Sequence, residues 1–415
     1  MTHIRNAAPA ARRSASPVRR RVAFGAVAAA TLAASLAMPL STAWAAQQDT
    51  AAASSGRAAD SRKAALQRNL DDVVRKDGVV GAQAALVDGK HRVSVRSGTA
   101  ELGTDKAVPH NGYFRMGSNT KTFVATVLLQ LESEGRLRLS DTVDHWLPGL
   151  IEGNGNDGKR ITVRQLLQHT SGLPDYAARL PGISDEKKFQ KHRFDSYQPR
   201  DLVELALRDE PTFEPGKGWS YSNTGYVVAG MIIEKATGRT WSDEVRSRII
   251  EPLGLKHTFA AGDERLGLPE PHAKSYMQFK AGGPLVESTE VNMTWGDAAG
   301  SLVTTSKDLT RFWQKLLGGQ LLGPKQLKQM RTTVPIVVDG QDTGERAGLG
   351  VLWRPLSCGG GYWGHGGTTL GHLNANGFVG KGERGVIAMR STNLAAEDRD
   401  VRTDKLVDDA LCRRK

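Results

Sequence analysis

The chain has 415 residues with a net charge of +12 at pH 7, 24% charged and 39% hydrophobic residues. These proportions exclude a low-complexity or collagen-like chain, and the length is enough to bury a large core in one domain or two sub-domains. No basic stripe interleaved with aromatics is present, so nucleic acid is not an expected partner. Scattered histidines and two cysteines, without H-E-x-x-H or paired C-x-x-C, offer no metal centre, and no cofactor is expected.

Residues 1–45 read as a targeting leader. Arg12, Arg13, Arg19, Arg20 and Arg21 form a basic region with no acid before Asp49, 22–40 is rich in Ala and Leu, and Ala43-Trp44-Ala45 meets the small-x-small cleavage pattern. A retained anchor is the alternative, opposed by Pro39 and by the cleavage pattern. The paired arginines also suit the twin-arginine route. Cleavage after Ala45 removes six arginines and no acid, which lowers +12 to +6. The mature chain is therefore expected outside the cell, with a charge that suits association with an anionic cell wall. In that oxidising setting Cys358 and Cys412 read as one disulfide holding the C-terminal helix to the body, with two buried free thiols as the alternative.

In chain order, 46–60 is Ala/Ser/Gln-rich and unpatterned, a linker. Leu66, Leu70, Val73 and Val74 recur at helical spacing over 61–76. Residues 80–87 and 91–97 alternate around Asp88-Gly89, which predicts a hairpin. Residues 116–131 predict a helix. From 135 to 298 the chain is helical and loop-rich, with short helices over 166–172, 202–207, 226–237 and 243–250 between Pro and Gly punctuation. Helices over 305–317 and 324–332 and strands over 349–353, 376–379 and 385–389 follow, and a helix over 398–412 closes the pattern. The chain ends in Arg413-Arg414-Lys415 without an apolar tail, so no stable membrane anchor is expected, and a monomer is. The fold class is α/β in the α+β sense. An antiparallel sheet, about 61–120 and 300–415, is flanked by helices and interrupted by an all-helical sub-domain at about 121–299.

Three stretches carry chemistry. Ser118 and Lys121 stand three apart at the head of an apolar helix that includes Phe123, Val124, Val127, Leu128 and Leu131. A hydroxyl at i and an amine at i+3 share one helix face, and the free N–H groups of a helix start favour developing negative charge. These are the parts of a serine nucleophile activated by a lysine. An S-x-x-K spacing arises about once by chance in such a chain. A second copy, Ser184 to Lys187, stands in a charged stretch with no apolar helix behind it. Tyr221 and Asn223, two apart after Pro215-Gly216, project to one side of an extended loop. Tyr362 to His372 is rich in glycine around His365-Gly366-Gly367-Thr368, the mark of a bulge or of a ligand close to the backbone. Such an edge strand can bind a substrate by strand addition while one N–H faces an oxyanion.

Ser118-Asn119-Thr120-Lys121, Tyr221-Ser222-Asn223 and His365-Gly366-Gly367, in this order, resemble the motif set of the penicillin-recognising serine hydrolases. That family includes class C beta-lactamases, D-alanyl-D-alanine carboxypeptidases, D-aminopeptidases and esterases. The flanks LLQHTSGLPDY (166–176), 213–238 and IIEPLGLKHT (249–258) resemble the secreted actinobacterial carboxypeptidase branch, and the likeness covers 79 to the C-terminus. It implies that Ser118 is acylated, that Lys121 helps take its proton, and that Tyr221 is the general base and acid, with a phenol pKa well below about 10. It implies further that Asn223 and His365 bind substrate, and that the N–H groups of Ser118 and Thr368, beside Gly367, form the oxyanion hole. The expected partner is a peptidoglycan stem peptide or a beta-lactam. A D-alanyl-D-alanine carboxypeptidase is the leading expectation, followed by beta-lactamase, esterase or D-aminopeptidase, and then an inactive penicillin- or wall-binding protein. Gly366 departs from the carboxypeptidase pattern, which places a Thr hydroxyl there for the substrate carboxylate; Thr368, Thr369 or Arg354 are the candidates to replace it.

Overall fold

Strict alternation of small and branched residues builds the sheet. Ala82, Ala84, Leu86, Val386 and Ala388 face one core, and Val87, Ile387 and Met389 face the other. The structure is a computed structural model that describes residues 60–395 and 401–412. The leader expected over 1–45 and the linker up to residue 59 lie outside the described residues.

Across the main sheet the strands run Val334–Val338, Gln341–Ala347, Leu352–Pro355, Gly361–Gly364, Leu373–Val379, Arg384–Arg390, Gly81–Asp88 and His91–Gly98, with Gly367–Thr368 also paired to Leu373–Val379. Every pairing in it is antiparallel. The first hairpin forms where expected, but Asp88 pairs with His91, so its turn is Gly89-Lys90 rather than Asp88-Gly89. The helix over 60–77 and the C-terminal helix Val401–Cys412 cover one face through Leu66, Leu70, Val73, Leu406, Val407 and Leu411. The helix Ser306–Leu317 packs on the other, and the helices Thr120–Ser133 and Asn223–Thr237 share the core behind it. Cys358 and Cys412 form a disulfide that fastens the C-terminal helix to the turn before Gly361–Gly364.

Between 121 and 299 the expectation of an all-helical stretch is corrected: short helices alternate with loops, and there are short strands at Glu152–Gly153, Asn156–Asp157, Phe259–Ala260, Tyr276–Gln278 and Leu285–Glu287. The helix expected over 166–172 is Val163–Gln168, stopped by His169 in the left-handed region. The strand expected from 349 begins only at Leu352, because Gly350 lies against the nucleophile helix: a Cβ there would sit 2.5 Å from that of Ala125. The hairpin Val334–Ala347 has no counterpart among the sequence expectations. No helix of the described residues is long and apolar enough to cross a membrane.

Candidate active site

Gly117 has φ +52, and a Cβ on it would lie 2.8 Å from the Thr368 oxygen and 2.9 Å from the Thr368 nitrogen. Glycine is therefore required both for the backbone conformation and for the close approach of the facing strand. One 3-10 turn, Gly117–Asn119, then carries Ser118 to the start of Thr120–Ser133. The i and i+3 positions meet as expected: Lys121 Nζ is 3.1 Å from Ser118 Oγ. The same nitrogen reaches Asn223 Oδ1 at 2.7 Å and the Ala299 carbonyl at 2.8 Å. Lys121 is fully buried, and burial lowers its pKa to about 7 against the opposing pull of Asp175. An amine near neutrality can accept the Ser118 proton, and the ammonium so formed has three oxygens around it.

Tyr221 and Asn223 flank Ser222, whose extended backbone starts the helix Asn223–Thr237. Both ends of the Asn223 amide are engaged, Oδ1 by Lys121 and Nδ2 by Asp175 Oδ2 at 2.8 Å. Asp175 is thus part of the site, and burial raises its pKa. The Tyr221 ring lies 4.8 Å from Lys121 Nζ. Its phenol is raised above the ordinary value by burial, with the Ser118 hydrogen bond opposing. This corrects the expectation of a depressed phenol. The group poised near neutrality is Lys121, and Tyr221 rests as a neutral phenol that can donate a proton.

Gly367 pairs with Asn374 and Thr368 with Leu373. A Cβ on Gly367 would sit 2.0 Å from the Met116 carbonyl oxygen, so the strand touches the nucleophile turn backbone to backbone. Three buried asparagines lock the two together. Asn119 Nδ2 donates to Asn374 Oδ1 (2.6 Å), Asn374 Nδ2 to the Met116 and Gly367 carbonyls, and Asn376 Nδ2 to Asn119 Oδ1 and the His365 carbonyl. His365 is buried, its Nδ1 lies 2.7 Å from the Gly366 carbonyl, and burial followed by the Lys121 charge pushes its pKa down to about 3. It is a neutral ring. At Gly366, by contrast, a Cβ would meet only the Asn374 oxygen, at 3.3 Å.

Ser118, Tyr221, Asn223, His365, Gly367 and Thr368 all line one cavity of about 510 Å³. Tyr176, Trp219 and Trp295 form an aromatic wall. The far end is made by Ile336, Val338, Thr343 and Glu345 of the unexpected hairpin, with Leu352, Arg354 and Asp404. Arg354 donates to Glu345 Oε2 at 3.1 Å and to Asp404 Oδ1 at 3.3 Å. Thr369 is buried away from the cavity wall. Ser184 and Lys187 are both exposed and outside the cavity, so the second S-x-x-K has no chemistry. Among the described residues no group of three or more His, Cys, Asp and Glu is placed to hold a metal ion.

The profile of the family described as Beta-lactamase matches residues 66–411. The chain is similar to the D-stereospecific amidohydrolase from a Streptomyces species, with 40% identity, a TM-score of 0.75, and 80% of this chain and 94% of that one covered. It is also similar to the D-amino acid amidase from Ochrobactrum anthropi SV3, with 32% identity, a TM-score of 0.73 and coverage of 85% and 97%. Among curated relatives, a penicillin-binding protein of Bacillus subtilis (strain 168) is 37% identical over 164 residues, 39% of this chain and 33% of that protein. Protein flp of Staphylococcus aureus (strain MW2) is 26% identical over 270 residues, 64% of this chain and 51% of that protein. The matches therefore span a third to a half of the length of those two relatives.

Proposed function

Because the chain belongs to the beta-lactamase family of serine hydrolases, we propose that it hydrolyses amides of D-amino acids with a free α-amine through an acyl-enzyme on Ser118. The observation that carries this reading is the far end of the cavity, where Arg354 is held between two carboxylates, Glu345 and Asp404. One cation between two anions leaves a net negative end, which attracts an ammonium and repels a free carboxylate. Gly366 removes the hydroxyl that a carboxylate would use. The likeness to a D-stereospecific amidohydrolase and a D-amino acid amidase supports the same choice.

In acylation the Lys121 amine takes the Ser118 proton as Oγ attacks the amide carbon. The N–H groups of Ser118 and Thr368 receive the oxyanion. Tyr221 gives its phenol proton to the leaving nitrogen and regains one from the Lys121 ammonium, so the serine proton ends on the released amine. In deacylation the same pair takes a proton from water and returns it to Ser118 Oγ. Asp175 holds the Asn223 amide so that its oxygen, not its nitrogen, faces Lys121.

A carboxypeptidase acting on D-alanyl-D-alanine peptides is the second reading, favoured by the guanidinium of Arg354 in the cavity wall. The leader pattern over 1–45 supports action outside the cell, against the wall. Relative kcat/KM for D-phenylalanine amide, its L-isomer, a D-alanyl-D-alanine peptide and a cephalosporin decides between these, with Ser118→Ala as the blank. The D-amide is expected to be fastest and to yield a mass-labelled Ser118 on quenching. A faster D-alanyl-D-alanine peptide overturns the amidase reading, and undiminished hydrolysis by Ser118→Ala overturns the mechanism.

A further inference from the structure

His169 ends the helix Val163–Gln168 with φ +60 and ψ +33, a conformation uncommon outside glycine. From there it holds the segment around Tyr221 at three points. Its carbonyl accepts the Ser220 N–H at 3.0 Å, and its Nδ1 accepts the Ser222 N–H at 3.2 Å. Between those two amides its ring stacks on the Tyr221 ring, with centroids 4.3 Å apart and planes 27° from parallel. Tyr226, anchored by its hydroxyl to the Leu167 carbonyl at 2.7 Å, packs against the same imidazole at 5.4 Å. His169 is 3% exposed, so the stack is part of the packed interior beneath the cavity.

The chemistry of the ring is settled by these contacts. An Nδ1 that accepts an N–H cannot carry a proton, so the proton sits on Nε2, which is buried without a hydrogen-bond partner among the described residues. Burial and the neighbouring Lys121 and His365 keep the imidazole neutral, its pKa well below the ordinary value. A neutral aromatic face can lie against Tyr221 without competing for the proton that Lys121 and Tyr221 exchange.

We propose that His169 is the positioning residue for Tyr221, fixing where its phenol delivers a proton to the leaving group. The backbone carbonyl would hold Ser220 whatever the side chain, but the ring adds a nitrogen on the Ser222 amide and a stacked face on Tyr221 itself. The consequence is specific. A leaving group too basic to depart unprotonated depends on the aim of Tyr221, whereas a p-nitrophenolate leaves without help. The proposal rests on Tyr221 as proton carrier and is independent of which acyl donor is natural.

The test compares kcat/KM, which reports acylation, for the methyl and p-nitrophenyl esters of one acyl group. The variants are His169→Asn, Tyr221→Phe and the double variant. Asn tolerates the left-handed backbone and keeps an acceptor oxygen, while removing the ring. His169→Asn is expected to lower the methyl ester rate about 30- to 100-fold and the p-nitrophenyl rate less than about threefold. In the Tyr221→Phe background it should add almost nothing. Equal losses on both esters, or full additivity in the double variant, overturn the proposal and leave His169 a structural residue. Thermal unfolding checks each protein. If His169→Asn does not fold, His169→Gly, which suits the left-handed backbone and also removes the ring, is expected to show the same split between the two esters, and equal losses on both overturn the proposal. Esters with and without a D-amino acyl group keep this outcome separate from the amidase reading.

Discussion

The two walls of the cavity are built in opposite ways. The nucleophile wall is buried and cross-braced: Lys121 has three oxygen partners, and Asn119, Asn374 and Asn376 join the Ser118 turn to the Gly367 strand. The far wall is a hairpin whose Val337 and Val338 are exposed, closed by Arg354 and two partly exposed carboxylates. Reacting groups must be held to within a fraction of an ångström, and only a saturated, buried network does that. A wall that sorts substrates needs charge and shape, and it tolerates change. Chemistry and choice are therefore carried by different pieces of chain.

The comparison breaks most sharply at Lys121. Lys121→Met is expected to lower kcat about 10⁴-fold without unfolding the protein, read by steady-state rates and circular dichroism. The same residue sets the pH profile. Its amine form is the active one and its pKa is about 7, so kcat/KM for an ester without an α-amine should be flat above that value and fall about tenfold per unit below it. His365→Asn should leave this limb in place, because burial and the Lys121 charge push the His365 pKa down to about 3, far below the limb. The depressed pKa also acts on stability. Between about 7 and the ordinary 10.5 the unfolded chain holds more protons than the folded one, so stability rises with pH across that window.

Gly367→Ala comes next. The added methyl would lie 2.0 Å from the Met116 carbonyl oxygen, so the strand must shift and carry the Thr368 N–H out of line. A loss of about 100-fold in kcat with little change in KM is expected, as for one oxyanion donor. The smallest effect sharpens the contrast. Gly366→Thr adds a hydroxyl where the backbone is unstrained and the nearest atom is 3.3 Å from the new Cβ. The Asn374 strand must give by a few tenths of an ångström, and the ratio of D-alanyl-D-alanine peptide to D-amide hydrolysis is expected to shift toward the peptide by about tenfold.

The sequence made the nucleophile wall legible because its parts are contiguous. Ser118 and Lys121 share a helix face, Tyr221 and Asn223 an extended pair, and His365 to Thr368 a glycine run. What it hid are the partners that only folding supplies. Asn374 and Asn376 look like ordinary strand residues until Asn119 meets them, and Asp175 and His169 lie about 50 residues before the loop they hold. The far wall is different. Asp339-Gly340 between Val338 and Gln341 is a two-residue turn with both φ values positive, a readable hairpin signal, whereas the first hairpin turns one residue after its own Asp-Gly pair, at Gly89-Lys90. Its arrival over the active site was not readable, because that is set by pairing with Leu352–Pro355 and not by local pattern.

The sheet order has a consequence in time. Gly81–Asp88 lies between the edge strand His91–Gly98 and Arg384–Arg390, so an interior strand finds its second neighbour about 300 residues downstream. Pairings of that reach form late. Until they do, Ser118 and Lys121 can share a helix, but the Thr368 amide that would receive the oxyanion has no fixed place. A nascent or partly unfolded chain holds its nucleophile without the means to acylate it, and reactivity arrives only with completion of the sheet.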